Sequence, residues 1–273
     1  MTMIADATQL GIAGMEFGNF SGNWDNYESL PDFAKKNGLN LLVHNYFPVP
    51  SSDQFVLNLA DPDDNIYRKS YEFVINSLHW CAKHGIKIYS VHSGFACTPS
   101  VDMLGKSIVA ALPCDMDYAL DRFHSALYKL CSLADSLGVN IAIENNVCPP
   151  SNAPEGVNRH SLCVTPDEIL STFQILANTS CKLLLDLGHL KVSAQTLNFD
   201  IFHAIDVLIE NVAAVHLHDN NGVCDEHNLP ILPNQMLTYL LNLLHSEIPI
   251  ILEVRPQPVS SLAKWLETGE ISK

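Results

Sequence analysis

Short apolar runs recur along the chain, and longer amphipathic segments separate them. The apolar runs begin near residues 14, 41, 86, 140, 182, 213 and 248, and each is short enough to form one β-strand. The segments between them carry apolar residues at helical spacing. The clearest helix start is Thr165-Pro-Asp-Glu168, where Thr165 is the predicted N-cap and Glu168 is placed to close a capping box. This alternation predicts parallel strands joined by crossover helices.

The positions of the polar residues distinguish a closed barrel from an open sheet. Nearly every apolar run ends in acids or histidines, and only a barrel brings the carboxyl ends of all its strands to one site. An open sheet would gather them only at its switch point, and no G-x-G-x-x-G follows the first run. We therefore predict a (β/α)8 TIM barrel that forms a single domain over residues 1–273. Since only seven strands are predicted, either residues 1–4 supply a vestigial first strand or the barrel is incomplete.

Composition and charge narrow the class of protein. Hydrophobic residues make up 47% of the chain, enough for a large core. Fifteen Lys and Arg against thirty Asp and Glu give a net charge of −15, which disfavours binding to nucleic acid or to anionic membranes. The eight cysteines form no C-x-x-C pair, and no stretch is apolar enough for a leader or a membrane span. These features predict a cytoplasmic protein.

Six strands end in residues that can bind a metal ion. Strand residues alternate between faces, so charged residues that share a face with apolar neighbours two positions away are predicted to point into the barrel. Taken alone, a histidine at a strand end is more often a hydrogen-bonded core residue, and a single glutamate is open to either interpretation. Six such residues on six strands are costly to bury together unless a cation neutralises them, and their donors suit Zn²⁺, Mn²⁺, Fe²⁺ or Co²⁺. The six are His44, His92, Glu144, Asp186, His216 and Glu253.

The motifs VHSG, AIENN, LLDLGH, VHLHDN followed by DEH, and ILEVRP occur in this order over most of the chain. The sequence resembles the xylose isomerase-like TIM-barrel superfamily, which includes sugar isomerases and epimerases and the endonuclease IV nucleases. Its epimerase branch implies one divalent metal (Zn, Mn, Mg or Co) held by Glu144, Asp186, His216 and Glu253. Its endonuclease IV branch implies three zinc ions and adds as ligands His44, His92, His189, Asp225 and His227.

Charge favours the sugar branch, because a nuclease of this class must grip phosphates. Few basic residues lie in or just after the strands: Lys106, Arg159, Lys191 and Arg255. We therefore predict a metal-dependent isomerase or epimerase that acts on a small sugar-like substrate through a metal-stabilised enediolate.

The resemblance places Glu144 and Glu253 on opposite sides of the metal, so that one removes a proton and the other returns it, while His189 orients a hydroxyl group. The alternation of faces adds His218 and Arg255 as candidate substrate contacts, although a salt bridge from Arg255 to a ligand acid is an equal alternative. Two other functions stay open: a trinuclear zinc phosphodiesterase of the endonuclease IV type, and a non-catalytic barrel protein. A homo-oligomer also stays open, since a neighbouring chain could fill the gap left by a missing strand.

Overall fold

The protein is described by a computed structural model over residues 10–18, 27–48 and 54–268. All seven predicted strands are present in this part of the chain, and each lies within two residues of its predicted start. They are β1 (Gly14–Phe17), β2 (Asn40–His44), β3 (Ile88–His92), β4 (Asn140–Glu144), β5 (Lys182–Asp186), β6 (Val212–Leu217) and β7 (Ile250–Leu252).

The strands form one parallel sheet in the order β1 to β7, so each strand pairs with its neighbours in sequence. The sheet curves until opposite strands meet across its interior, where Glu16 on β1 hydrogen-bonds His216 on β6. Within the described ranges no ladder joins β1 to β7. In the described residues the architecture is a nearly closed TIM barrel of seven parallel strands, which confirms the predicted fold class. The proposed vestigial strand at residues 1–4 lies outside the described residues.

Helices connect the strands and surround them. The predicted capping box is confirmed: the Thr165 hydroxyl accepts from the backbone N–H of Glu168, and the Glu168 carboxylate accepts from that of Thr165. No helix in the described part of the chain is long and apolar enough to span a membrane. The helices are α1 (Leu30–Lys36), α2 (Asp64–His84), α3 (Met116–Leu137), α4 (Pro166–Ile175), α5 (Leu187–Leu197), α6 (Ile201–Leu208), α7 (Gln235–Leu243) and α8 (Val259–Thr268).

The two faces of the sheet carry different side chains. The outward face packs beneath the helices and contributes large apolar residues such as Tyr89, Ile143 and Leu185 to the main core. The inward face carries a small separate layer of buried residues, Leu42, Ala142, Leu184 and Ala214. Each of these four residues stands two positions before a predicted ligand, so the polar residues form the next layer toward the carboxyl ends. The barrel therefore has an apolar floor and a polar upper layer.

Candidate metal centre

Four strand-end residues form the centre of the polar layer, and we call them the four-ligand cluster: Glu144, Asp186, His216 and Glu253. They come from β4, β5, β6 and the residue after β7, and each offers a ligand atom within 4.8 Å of those of the others. The Nδ1 atom of His216 lies 3.0 Å from Glu253 Oε2 and 3.4 Å from Glu144 Oε1. The structure thus brings together the four residues for which the epimerase branch implied a shared metal.

A second group, the His44 cluster, consists of His44, His92 and Glu144 and shares its glutamate with the four-ligand cluster. Glu144 Oε2 lies 3.4 Å from His44 Nε2 and 3.0 Å from His92 Nε2. The Nδ1–H of His44 donates to the Ser90 hydroxyl at 3.0 Å, and its Nε2 accepts from the Asn45 amide at 2.7 Å. The Asn45 amide therefore engages the His44 Nε2 lone pair in this structure, and an ion bound by His44 and Glu144 would have to displace that amide.

A third group, the Asp225 cluster, lies on the other side of Asp186 and contains His189, His218, Asp225 and His227. Asp186 caps the N-terminus of α5 by accepting from the backbone N–H of His189 at 2.7 Å, which directs the first turn of that helix into the site. Asp225 and His227 come from the loop after β6. All nine side chains that the endonuclease IV branch implied therefore lie in three contiguous groups.

Glu16 is a site residue that the sequence reasoning missed. Its Oε2 lies 2.7 Å from His216 Nε2, on the opposite side of the ring from the four-ligand cluster, and its Oε1 accepts from the Ser90 hydroxyl at 3.5 Å. A carboxylate that holds the distal nitrogen of a ligating histidine fixes its tautomer and raises its basicity. The available signal was a carboxylate between Met15 and Phe17 in the middle of an apolar run.

The charges in the site strongly perturb its titrating groups. Burial would raise the pKa of Glu144, but His92 and His44 outweigh burial and hold that pKa well below its usual range. Burial would lower the pKa of His216, but Glu16 and Glu144 raise it well above 6.5. Burial lowers the pKa of His44 below its usual value of 6.5. The site therefore combines ionised carboxylates with protons that a metal ion can displace.

Several buried polar atoms in these clusters have no hydrogen-bond partner among the described residues. They include one oxygen each of Glu144, Asp225 and Glu253 and the Nδ1 atoms of His216 and His218. Buried polar atoms are otherwise paired almost without exception, and unpaired carboxylate oxygens are especially costly. Nitrogen and oxygen donors converging in this way fit a divalent cation of the Zn²⁺ or Mn²⁺ type.

The predicted roles outside the four-ligand cluster fit the geometry unequally. His189 directs Nδ1 to the Asn145 carbonyl at 2.9 Å and Nε2 to Asp225 Oδ2 at 3.3 Å, which favours a ligand role over a hydroxyl contact. His218 is covered rather than open to a substrate, since its side chain is 0% exposed. Arg255 is exposed, and its backbone N–H donates to the His227 carbonyl at 2.9 Å.

The sequence matches a known protein family over most of its length. A family model described as a xylose isomerase-like TIM barrel matches residues 4–268. The chain belongs to this family. Among curated relatives, an uncharacterised protein of Methanocaldococcus jannaschii is 22% identical over 202 residues, which cover 74% of this chain and 59% of that protein. The match thus spans less than two thirds of the length of that relative.

Solved structures show the same fold. A D-psicose 3-epimerase of Clostridium cellulolyticum, solved with D-tagatose, has a TM-score of 0.67 at 15% identity, covering 96% of this chain and 83% of that one. A Thermus thermophilus protein from crystals soaked with ZnCl2 has a TM-score of 0.66 at 20% identity, covering 98% of this chain and 93% of that one. The structural neighbours of this xylose isomerase-like chain thus include sugar epimerases, and at these identities the likeness establishes the fold.

Proposed function

We propose that this protein is a divalent-metal-dependent enzyme that isomerises or epimerises a sugar or sugar derivative. The observation that carries the proposal is the pairing of Glu144 with Glu253 in the four-ligand cluster. Each has a buried oxygen without a hydrogen-bond partner among the described residues, and their ligand atoms lie within 4.8 Å of each other. One carboxylate can therefore take a proton from a bound substrate carbon, and the other can return a proton to it.

The chain supplies the remaining parts of this chemistry. Asp186 and His216 complete the ligand set, and Glu16 holds the His216 ring from behind. A divalent ion bound there would polarise a substrate carbonyl and its neighbouring hydroxyl, acidifying the proton between them. Glu144 is ionised at neutral pH because its pKa is held low by His92 and His44, so it is in the form that accepts a proton.

The charge around the site supports a small substrate rather than a nucleic acid. Of the four basic residues near the carboxyl ends of the strands, Lys191 is bound to Asp219, with Nζ 2.6 Å from Oδ1. Arg255, Lys106 and Arg159 are exposed, and the chain carries a net charge of −15. Three such cations give too little attraction for a duplex, whereas a neutral sugar needs none.

Solvent deuterium exchange tests the proposal without requiring that the product be identified. Metal-loaded protein is incubated with a panel of ketoses and aldoses in D2O, and deuterium incorporation next to the carbonyl is followed by NMR. We expect incorporation into at least one sugar and its loss in Glu144→Gln and Glu253→Gln. Glu247→Gln, an exposed glutamate, serves as the matched control. Exchange that survives in both carboxylate variants would refute the assigned roles, and a panel without any exchange would refute the reaction class.

Phosphoester hydrolysis is the second candidate, and the continuity of the three clusters favours it. Glu144 belongs to both the His44 cluster and the four-ligand cluster, so the arrangement can hold adjacent ions that activate water and stabilise a leaving oxygen. This function requires His92 as a metal ligand, whereas in the one-metal reaction His92 only helps to hold the pKa of Glu144 low. Cleavage of an abasic-site duplex at low salt, abolished in His92→Ala, would establish it. Sugar exchange retained in His92→Ala would instead support the isomerase.

A further inference from the structure

The resemblance to the endonuclease IV branch implied His189, Asp225 and His227 as metal ligands. We infer that His218 is a fourth ligand beside them, and that the Asp225 cluster is therefore a closed site for a second divalent ion of the Zn²⁺ type. The ligand atoms come from α5, from the carboxyl end of β6 and from the loop that follows it. This inference goes beyond the proposed function and does not depend on it, because it concerns an ion other than the one in the four-ligand cluster.

The distances from Asp225 to the three histidines are close to those of a tetrahedral site, and all four residues offer ligand atoms within 4.8 Å of one another. Asp225 Oδ2 lies 3.3 Å from His189 Nε2 and 2.9 Å from His227 Nε2. Asp225 Oδ1 lies 3.5 Å from His218 Nε2. Donors bound tetrahedrally at about 2.0–2.1 Å from Zn²⁺ stand about 3.3 Å from one another. One ion can therefore be reached by all four side chains with little movement.

Two of the histidines are already held in an orientation that suits a metal ligand. The Nδ1–H of His189 donates to the Asn145 carbonyl at 2.9 Å, and the Nδ1–H of His227 donates to the Glu253 carbonyl at 3.0 Å. Each bond leaves Nε2 directed at Asp225, where it can bind an ion once the ion has displaced its proton. Backbone carbonyls that bind the second ring nitrogen in this way are typical supports of metal-ligating histidines. The buried Oδ1 of Asp225, which has no hydrogen-bond partner among the described residues, completes the set of donors.

The position of His218 depends on a glycine in the neighbouring helix. A Cβ atom at Gly188 would lie 2.0 Å from His218 Cε1 and 2.4 Å from its Nδ1, so the ring fits only because residue 188 has no side chain. On its other side the ring stacks on His227, with centroids 4.1 Å apart. His218 is thereby fixed beside Asp225 and cannot swing toward solvent.

A fourth protein ligand changes what the ion can do. Catalytic zinc sites keep a coordination position for water or substrate, whereas sites with four protein ligands are structural. The second ion would therefore tie the loop that carries Asp225 and His227 to β6 and α5, beside the four-ligand cluster. The competing role for His218 is to orient Asp186, since its Nε2 lies 3.1 Å from Asp186 Oδ1. The two roles differ in which ion is lost when His218 is replaced.

NMR of the unmodified protein gives the direct test. The protein is loaded with an NMR-active cadmium isotope after labelling of its histidine nitrogens, and the imidazole nitrogens coupled to each bound cadmium are counted. We expect one cadmium coupled to three imidazole nitrogens. No other cluster in the described residues offers three histidines to one ion. Coupling to two nitrogens at most would overturn the inference, as would the absence of any ion at these residues.

Metal titration of variants identifies the ligand by a second route. In His218→Asn we expect loss of the same equivalent that Asp225→Asn loses, while the equivalent lost in Glu253→Gln is retained. The affinity should fall more than about 100-fold, the upper range for removing only a supporting residue. His79→Asn, an exposed histidine on α2, is the control. Full retention in His218→Asn, or loss of the Glu253-dependent equivalent instead, would overturn the inference.

Gly188→Ala tests the same site without changing any ligand, because the new methyl group must displace the His218 ring. We expect it to lose the Asp225-dependent equivalent, with circular dichroism and thermal melting showing that the fold is kept. A Gly188→Ala protein that folds and binds both ions with unchanged affinity would contradict the inference. Deuterium exchange into sugars is measured in a separate assay, so a negative result there would not change the number of metal ions bound.

Discussion

Replacing Glu16 with glutamine tests whether a residue that faces away from the metal ligands controls how tightly they bind. Glu16 Oε2 and His216 Nε2 are 2.7 Å apart, and the two side chains are only 8% and 0% exposed. A glutamine side chain would keep the shape and one acceptor but lose the negative charge that raises the basicity of the His216 ring. Supporting residues of this kind contribute about 10–100-fold to metal affinity, equivalent to about 1.4–2.8 kcal/mol.

Because a hydrogen bond to oxygen survives in Glu16→Gln, we expect a loss near the lower limit, about tenfold. Glu16→Ala also leaves the buried Nε2–H of His216 unpaired, which adds about 1–3 kcal/mol to that loss and takes the fall in affinity to about 50-fold or more. Competition with a chromophoric chelator measures both, with Glu247→Gln as the control. An affinity within about twofold of the parent in Glu16→Gln would refute the supporting role. Loss of a whole metal equivalent would also refute it, by showing that Glu16 binds an ion directly.

Three further predictions follow from the titrating groups and the barrel floor. Burial would lower the pKa of His227, but Asp225 raises it to about 9. Metal binding at pH 7 should therefore release protons, and the metal affinity should increase as the pH rises. Calorimetry in buffers of different ionisation enthalpy measures this proton release, and a binding enthalpy that does not depend on the buffer would refute it. Since the folded-state pKa of His227 lies above the ordinary 6.5, its contribution to the stability of the metal-free protein is complete below pH 6.5 and is lost as pH rises through about 9. The melting temperature of the chelator-treated protein should therefore fall as the pH rises through about 9, and that of the metal-bound protein should not. An equal fall in both samples would contradict this prediction. Leu184 is fully buried in the apolar floor of the barrel, so Leu184→Ala should lower the free energy of unfolding measured in urea titrations by about 2–5 kcal/mol. Leu243 is exposed, and Leu243→Ala should change this free energy little. Equal effects of the two substitutions would show that Leu184 is not part of a packed inner layer.

Much of the architecture could be predicted because it rests on local pattern. The strands that carry Glu144, Asp186 and His216 end where their apolar runs end, and alternation correctly assigned Ala142, Leu184 and Ala214 to the same face. Since parallel strands of a barrel point their carboxyl ends the same way, convergence of these ends followed from the fold. The Thr165 capping box was predictable for the same reason, because all its atoms lie within one helical turn.

What could not be predicted depends on contacts across the barrel. Glu16 lies in the middle of β1, and only closure of the sheet brings it to His216, which is 200 residues away in sequence. His218 shares a face with His216, so alternation assigned it to the interior but could not distinguish a substrate contact from a ligand. That distinction comes from the missing side chain at Gly188 and from the path of the loop that carries Asp225.

The choice between the two candidate reactions reduces to the state of Glu144. This carboxylate has two oxygens: Oε1 lies 3.4 Å from His216 Nδ1 in the four-ligand cluster, and Oε2 lies 3.4 Å from His44 Nε2 in the His44 cluster. With an ion only in the four-ligand cluster, Oε2 keeps a lone pair and can accept a proton from a sugar carbon. A second ion at His44 and His92 would occupy that lone pair and remove the base, leaving a bridged pair of ions suited to hydrolysis. We therefore propose that occupancy of the His44 cluster selects between the two candidate reactions.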